Sequence, residues 1–508
     1  MTTRGKVYDG AAKLAIGQVA GQGLSFVRNV IVARYVTPAD FGVAALLALS
    51  VSLMEMISDL NLSTLLIQSR QGDTPGFQRT LHCVGAIRGV VNSLALFALA
   101  WPLSVLLGVP EARWAFQWLS AYPLVKGLTH SDPTRRQRDF RFGPSVLVEL
   151  GSQLVAVLVA WPLAASLRGY SAFIWIMLIQ ISVSWLLSHL LAERHYRWAW
   201  DRDHVKHVLS FSWPLLLNGV LLFLIQQGDC ALLGMAPRLF PGAPYSMADV
   251  GLYSIALSLS VVPITAVAKV NSSLLLPGLS QVQSSVVDFN RRYRLGLETL
   301  ALAGGICGLL FLAAGGTIVV LVYGEKYAGA ATVVGWLGAA QAIRLARIAP
   351  TTGALAKGDS MNPLIANVVR VLGLVLGVAV VAKGGPLSWI AGAACCGEGA
   401  ALAIAVLRFQ RINSVPFAVS APGLVWLAGG LALGTVLHVA ILARTGAALT
   451  LAISAMAALS FAAVAVLSLG GIRREAWLFL LRLLEGRVSS KQAIESGSQS
   501  PRLAADQK

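Results

Sequence analysis

Charge is what this sequence has least of. Of its 508 residues, 12% are Asp, Glu, Lys or Arg, about half the quarter expected of a soluble globular chain. The shortage is not local. No charged side chain occurs over residues 89–110, 150–167, 169–192, 207–228, 250–268, 270–287, 299–324, 412–443 or 445–472. A transmembrane helix needs about 20 mostly apolar residues, and nearly every one of these stretches supplies them. A soluble enzyme and a disordered chain are therefore excluded. So is an outer-membrane barrel, whose signature is weak alternation over about ten residues. Cysteine is scarce too: Cys83, Cys230, Cys307, Cys395 and Cys396 lie in apolar stretches without Cys-x-x-Cys spacing. They read as small packing residues rather than metal ligands, and no cofactor is expected. No short apolar core with a small-residue cleavage site follows the basic start, so no cleavable signal is expected.

What is present is a polytopic, all-α membrane protein. Fourteen segments are expected: 14–33, 41–67, 81–107, 112–129, 145–166, 171–191, 208–236, 250–279, 295–322, 330–352, 364–382, 387–407, 420–443 and 447–470. The net charge of +17 does not point to nucleic acid, because the bases fall in short clusters between segments, where they report topology. With the N-terminus inside, the cytoplasmic loops and tails hold 26 Lys and Arg. The opposite face holds 7, one each at Arg34, Arg113, Arg168, Arg238, Lys326, Lys383 and Arg444. That bias predicts both termini in the cytoplasm. A missed helix would invert every later loop and spoil the alternation.

The two halves echo each other. Ala39-Asp40-Phe41-Gly42-Val43 leads into the second segment and Ala248-Asp249-Val250-Gly251-Leu252 into the eighth, each followed by a serine-rich apolar run. Residues 106–119 and 321–337 form a second pair, with Lys126 and Arg344 each seven residues beyond the closing leucine. Both repeats start from the same face, so they are parallel repeats. That is a transporter architecture, with the substrate site at their interface. The expected units are six-helix lobes over 1–206 and 207–412, and two extra helices over 413–470. A cytoplasmic tail follows, with an interfacial helix at 473–487 and a disordered end at 488–508.

Three stretches carry a family resemblance: GLSFVRNVIVARYVTPADFGVAALLALS at 23–50, DVGLYSIALSLSVVPITAVAKVNSSLLLPGLSQVQ at 249–283, and YGEKYAGAATVVGWL at 323–337. With the fourteen-segment layout, the chain resembles bacterial Wzx-type polysaccharide flippases of the multidrug/oligosaccharidyl-lipid/polysaccharide exporter superfamily. The resemblance implies two lobes around a central cavity with alternating access in the bacterial inner membrane. It implies a substrate, an oligosaccharide repeat unit on undecaprenyl pyrophosphate, and a polymerase and glycosyltransferases as partners. One departure stands out: the family often has glycine after Asp-Leu at the end of the second helix, where this chain has Asp59-Leu60-Asn61.

The charges inside segments give the candidate site. A central charge costs roughly 2.5–3.5 kcal/mol on insertion scales, so each such group pairs or lines a watery cavity. Phosphates are best held by arginine forks. Arg28, Lys126, Lys269, Arg344 and Arg347 are the candidate cationic lining, and Arg344 and Arg347 share a helical face. Asp229, at a depth similar to that of Arg28, is the candidate counter-ion or coupling group. Glu55 and Asp59 share one face and could bind protons or sodium, or pair with Lys269. Glu149, Glu298 and Arg370, near the cytoplasmic boundary, read as structural or snorkelling groups.

Two lookalikes are set aside. Gly353 to Ser360 resembles a P-loop, but Asp359 stands where the essential lysine belongs. Asp201-Arg202-Asp203 imitates a glycosyltransferase metal motif without any catalytic domain around it. A membrane polymerase or ligase would need a sizeable outer loop, and the longest here is about 237–249. A cation-coupled drug exporter of the same superfamily is the nearer rival, but twelve helices suffice there. The last two helices favour a lipid-linked substrate, with a groove for the polyprenyl tail, an inference by analogy.

Overall fold

A computed structural model describes residues 3–440, 445–470 and 472–473, the side chains of 3–15, 213–215, 217–218, 222, 269–270 and 272–273 excepted. The interfacial helix and tail expected beyond 473 lie outside the described residues. Among these the structure is helical throughout. The first half runs α1 (Thr3–Tyr35), α2 (Pro38–Ile57), α3 (Leu62–Gln68), α4 (Pro75–Ala98), α5 (Ala100–Leu106), α6 (Arg113–Leu119), α7 (Ala121–Gly127), α8 (Asp132–Arg135), α9 (Gly143–Leu167) and α10 (Ser171–Leu190). The second runs α11 (Arg202–Leu239), α12 (Met247–Ser280), α13 (Val286–Tyr323), α14 (Ala331–Ala356), α15 (Met361–Ala382) and α16 (Leu387–Asn413), followed by α17 (Phe417–Ala440) and α18 (Ala447–Ser468).

Each of the fourteen expected segments coincides with a helix or a broken helix. Among the described residues, ten helices are long and apolar enough to cross a membrane. The remaining four are α1, the α6–α7 pair, α11 and α14, and they hold Arg28, Lys126, Asp229, Arg344 and Arg347. The contacts between loops sort into two faces. Arg34 reaches Val322, Arg238 reaches Val105 and Tyr245 reaches Gly385 on the charge-poor face. Arg138 reaches Leu66, Arg194 reaches Asp73 and Lys357 reaches Gln283 on the basic face.

The repeated Ala-Asp-x-Gly motif does two jobs. Its Asp belongs to the helix start. Thr37 caps α2 by accepting from Asp40 N–H, and Ser246 and Asp249 form a capping box at the start of α12, satisfying orphan N–H groups. Its Gly lets α2 and α12 cross. A Cβ on Gly42 would overlap the Met247 carbonyl oxygen, and one on Gly251 the Pro38 carbonyl oxygen. The contact is reciprocal, as a pair of repeats related by a two-fold axis requires. Elsewhere Gly430 seats α17 against the backbone of Gly305 on α13, the close approach that small residues permit in membranes.

The departure at Asn61 has a backbone cause. Asn61 sits at φ 48°, ψ 39° between α2 and α3. The left-handed region costs most side chains roughly 1–2 kcal/mol, and asparagine is among the few that visit it. Glycine would suit the same turn, since it carries no Cβ penalty there. The lookalikes resolve as local contacts at helix starts. Asp201 accepts from Asp203 and His204 N–H at the start of α11, and Asp359 accepts from Met361 N–H and pairs with Arg408 at 3.2 Å.

Candidate functional site

Between the repeats lies a cavity of about 520 Å³. Its walls come from α1, α2, α7, α9, α10, α11, α12, α14, α15 and α16, and its charged lining is Arg28, Asp229, Arg344, Arg370 and Glu398. Arg28 projects from α1 and donates to Gln180 Oε1 (2.5 Å), Ser25 Oγ (3.2 Å) and Asn29 Oδ1 (3.2 Å). These partners are all neutral, so the guanidinium is held in place with no counter-charge among the described residues. Arg344 lines the same cavity with no hydrogen bond or ion pair among the described residues.

The acids differ. Glu398 on α16 is buried and lies 2.5 Å from Arg370 Nε and 3.3 Å from Arg347 Nε. Arg347 also donates to Asn367 Oδ1 at 3.0 Å. It is buried behind the cavity as a partner of Glu398, and does not line it as expected. Asp229 accepts from the fully buried Tyr253 hydroxyl at 2.9 Å and forms no ion pair with Arg28 or any other base among the described residues. Of the two roles open to Asp229, counter-ion or coupling group, the ion pair with Arg28 that the first would need is absent from this arrangement among the described residues. The lining carries three guanidiniums against two carboxylates, with Glu398 shared by two arginines.

Lys126 and its expected companions stand apart. Lys126 pairs with Glu55, which also lies 3.5 Å from Arg88, and Arg88 lies 3.8 Å from Asp59. These four border a separate cavity of about 450 Å³ toward the basic face. Glu55 and Asp59 thus find Lys126 and Arg88 rather than Lys269, whose side chain lies outside the described residues. Arg88 also donates to Glu55 O (3.0 Å) and Ser58 Oγ (3.1 Å), closing the end of α2. Glu298 pairs with Arg294 at 2.6 Å one turn away, a structural role as expected. Arg370 does not snorkel to the boundary as expected but pairs with buried Glu398. It is nine residues into α15, or ~14 Å at 1.5 Å per residue, and Glu398 lies eleven residues into the next helix. That depth match across consecutive helices is the signal that would have found the pair. Gln180, the single side-chain amide in the 171–191 segment, was a similar signal for the partner of Arg28.

Comparison with known proteins gives the chain its place. The model of the family described as polysaccharide biosynthesis protein matches residues 31–332. A succinoglycan biosynthesis transport protein, ExoT of Rhizobium meliloti (strain 1021), is 28% identical over 63% of this chain and 63% of its own length. An uncharacterized membrane protein in the cps region of Klebsiella pneumoniae is 22% identical over 60% of this chain and 61% of its own. The matched stretches thus span less than two thirds of these relatives. Among solved structures, the lipid II flippase MurJ in an inward closed conformation superposes with a TM-score of 0.69 at 14% identity, covering 89% of this chain and 98% of that one. An inward-facing multidrug resistance MATE transporter of the MOP superfamily gives 0.60 at 11% identity, over 77% and 96%. These likenesses establish a MurJ- and MATE-like transporter fold, and the family match covers more than half of the sequence: the chain belongs to the polysaccharide biosynthesis protein family.

Proposed function

We propose that this protein flips an undecaprenyl-pyrophosphate-linked oligosaccharide from the cytoplasmic to the periplasmic leaflet of the bacterial inner membrane, by alternating access, for polysaccharide biosynthesis. The observation that carries the reading is the pair Arg28 and Arg344. Both line the cavity between the repeats, and neither has an acidic partner among the described residues. A guanidinium without a counter-charge is costly in a membrane interior, and a pyrophosphate supplies the missing charge through bidentate contacts. The polyprenyl tail lies outside the cavity, along α17 and α18, whose Val425, Val436 and Leu459 are exposed. The role is transport and not catalysis. The termini face the cytoplasm, and a glycan polymerase and glycosyltransferases act before and after it.

Transport is driven by a proton gradient, with Asp229 as carrier. Among the cavity acids it alone lacks an ion-pair partner among the described residues. Glu55 is engaged by two bases and would have to release them to bind sodium. The MATE-like fold favours a drug exporter as the second reading, but a surplus of guanidinium repels the organic cations such an exporter would take.

The test is genetic and chemical. Deletion of the gene should abolish a surface or secreted polysaccharide and leave lipid-linked repeat units on the cytoplasmic leaflet. Arg28→Ala and Arg344→Ala should do the same with the protein still abundant, and Arg28→Lys should retain part of the export because charge survives without the fork. Export recovered in Arg28→Ala/Asp229→Ala would make Arg28 scaffolding. Normal polysaccharide with heightened drug sensitivity would favour the exporter.

A further inference from the structure

Away from the cavity's charges, three bases on the charge-poor face tie one repeat to the other. Arg34, at the end of α1, donates to Val322 O (2.8 Å) and Leu321 O (2.5 Å) in the last turn of α13. Lys326, just beyond α13, donates to Arg34 O (3.0 Å) and Val36 O (2.7 Å), and the Tyr327 hydroxyl adds a bond to Val36 O (3.2 Å). Arg238, at the end of α11, reaches Val105 O on α5 (3.2 Å). Every acceptor is a carbonyl at or near a helix C-terminus, where four such groups are left without an intrahelical partner and the helix end is partially negative. Helices α1 and α13 exchange bases, each cation reaching the other's end.

The backbone is shaped for this. Gly324 turns the chain out of α13 at φ 101°, a conformation other residues rarely adopt, and so brings Lys326 back over the end of α1. Beneath the bases lies an aromatic seal. Phe173 meets Phe41 at 5.2 Å, Phe41 meets Tyr327 at 6.2 Å, and Tyr327 meets Tyr323 at 6.1 Å. Phe41 and Phe173 also line the cavity, so the seal is its ceiling. Tyr323 is fully buried and its hydroxyl has no partner among the described residues.

We propose that Arg34, Lys326, Tyr327 and Arg238 form a latch that closes the cavity on the periplasmic face, and that its release is the opening step of transport. Carbonyl acceptors suit a latch. On opening, each carbonyl and each base recovers water, whereas a dry carboxylate pair would be costly to separate. The unpartnered Tyr323 hydroxyl acts the same way, since it gains water only when the seal parts. Bases that a count of loop charges treats as topology markers thus also set the balance between the two states. The proposal rests on the alternating-access reading but not on the identity of the substrate.

The experiment follows cavity access in cells. In a version with the five cysteines replaced, Ser258→Cys places a reporter in the cavity lining. A membrane-impermeant maleimide is added from the periplasmic side of cells with a permeabilised outer membrane, and from the cytoplasmic side in inside-out vesicles. The parent should label poorly from the periplasm. Arg34→Gln/Lys326→Gln should raise periplasmic labelling severalfold and lower cytoplasmic labelling. Tyr327→Phe, which removes one bond and keeps the ring, should give a smaller rise in the same direction. Arg34→Lys should stay nearer the parent. Parent-like labelling of Tyr327→Phe, or a parent already open to the periplasm, overturns the latch, even where the double variant is too scarce to measure. Polysaccharide that persists when the gene is deleted would remove the substrate reading and leave the labelling result standing.

Discussion

Replacing Glu398 by glutamine keeps its size and removes one negative charge from between two guanidiniums. The carboxylate is 2% exposed, and its contacts to Arg370 and Arg347 are 2.5 and 3.3 Å. At an effective dielectric of about 20, each is worth roughly 5–7 kcal/mol of gross attraction, set against a desolvation penalty of several kcal/mol per ion. What a single substitution measures is neither figure. It measures the cost of leaving two buried cations facing one another, about 3–5 kcal/mol where one partner of a buried pair is lost. That is a large share of the roughly 5–15 kcal/mol that stabilises a typical domain. At roughly 2 °C per kcal/mol for a large domain, the unfolding midpoint of the detergent-solubilised protein should fall by about 6–10 °C, read by fluorescence-detected size exclusion after heating. Arg370→Gln/Glu398→Gln removes one of the stranded cations and should recover about 1–3 kcal/mol of the loss. An unchanged midpoint in Glu398→Gln, or strictly additive losses in the double variant, would refute the idea that Glu398 is the structural anchor of these arginines.

Three further outcomes follow from local geometry. Asn61→Gly should be neutral or slightly stabilising because φ is 48° there, whereas Asn61→Val should cost ~1–2 kcal/mol of thermal stability. Gly430→Val would drive a side chain into the backbone of Gly305, and overpacking of about 1–3 kcal/mol should loosen α17, seen as faster limited proteolysis. On the basic face, burial and the neighbouring His189 hold the His130 imidazole below its ordinary range, so the folded state favours neutral His130. Its contribution is present above the unfolded value of about 6.5 and declines as pH falls from there toward the lower folded value. Midpoints measured between pH 7.5 and 5.5 should therefore fall in the parent and fall less in His130→Gln.

Much of the fold was legible because apolar length and loop charge are properties of the chain alone. All fourteen segments meet helices, and the repeated Ala-Asp-x-Gly marked a real crossing. Arg28, Asp229 and Arg344 were legible as deep charges, and one cavity gathers all three. Lys126 was not. Counting seven residues past a leucine places it on a helix but not against a partner, and across the interruption between α6 and α7 it lies against Glu55 on α2. Arg370 was missed because its helix begins at Met361 rather than 364, which sets the side chain deeper than it looked. The partner of Arg347 depends on how α14 packs on α16, which no spacing along the chain encodes. The latch bases were visible only as single loop charges, because the carbonyls they reach belong to backbone nearly 300 residues away for Arg34 and Lys326.

Pairing itself separates scaffold from site. Each charge inside a segment is unfavourable by roughly 2.5–3.5 kcal/mol unless something offsets it. Glu55 is offset by Lys126 and Arg88, Glu298 by Arg294, and Glu398 by Arg347 and Arg370. These groups hold helices together and need no ligand. Arg28 has neutral partners, Arg344 has none among the described residues, and Asp229 has one tyrosine hydroxyl. The three share a cavity, and two of them are cations. A protonated Asp229 leaves that surplus at its largest, and an ionised one lowers it. Loss of a proton from Asp229 would therefore weaken the hold on an anion. An exporter driven by inward proton flow takes up its proton on the periplasmic face as the substrate leaves, so the charge of Asp229 alone would oppose release, and coupling through it has to act on the opening and closing of the repeats. Asp229→Asn, fixed in the neutral state, should accordingly bind lipid-linked pyrophosphate at least as well as the parent and export it poorly. Weaker binding in Asp229→Asn would mean that the carboxylate itself contacts the substrate and that the coupling lies elsewhere.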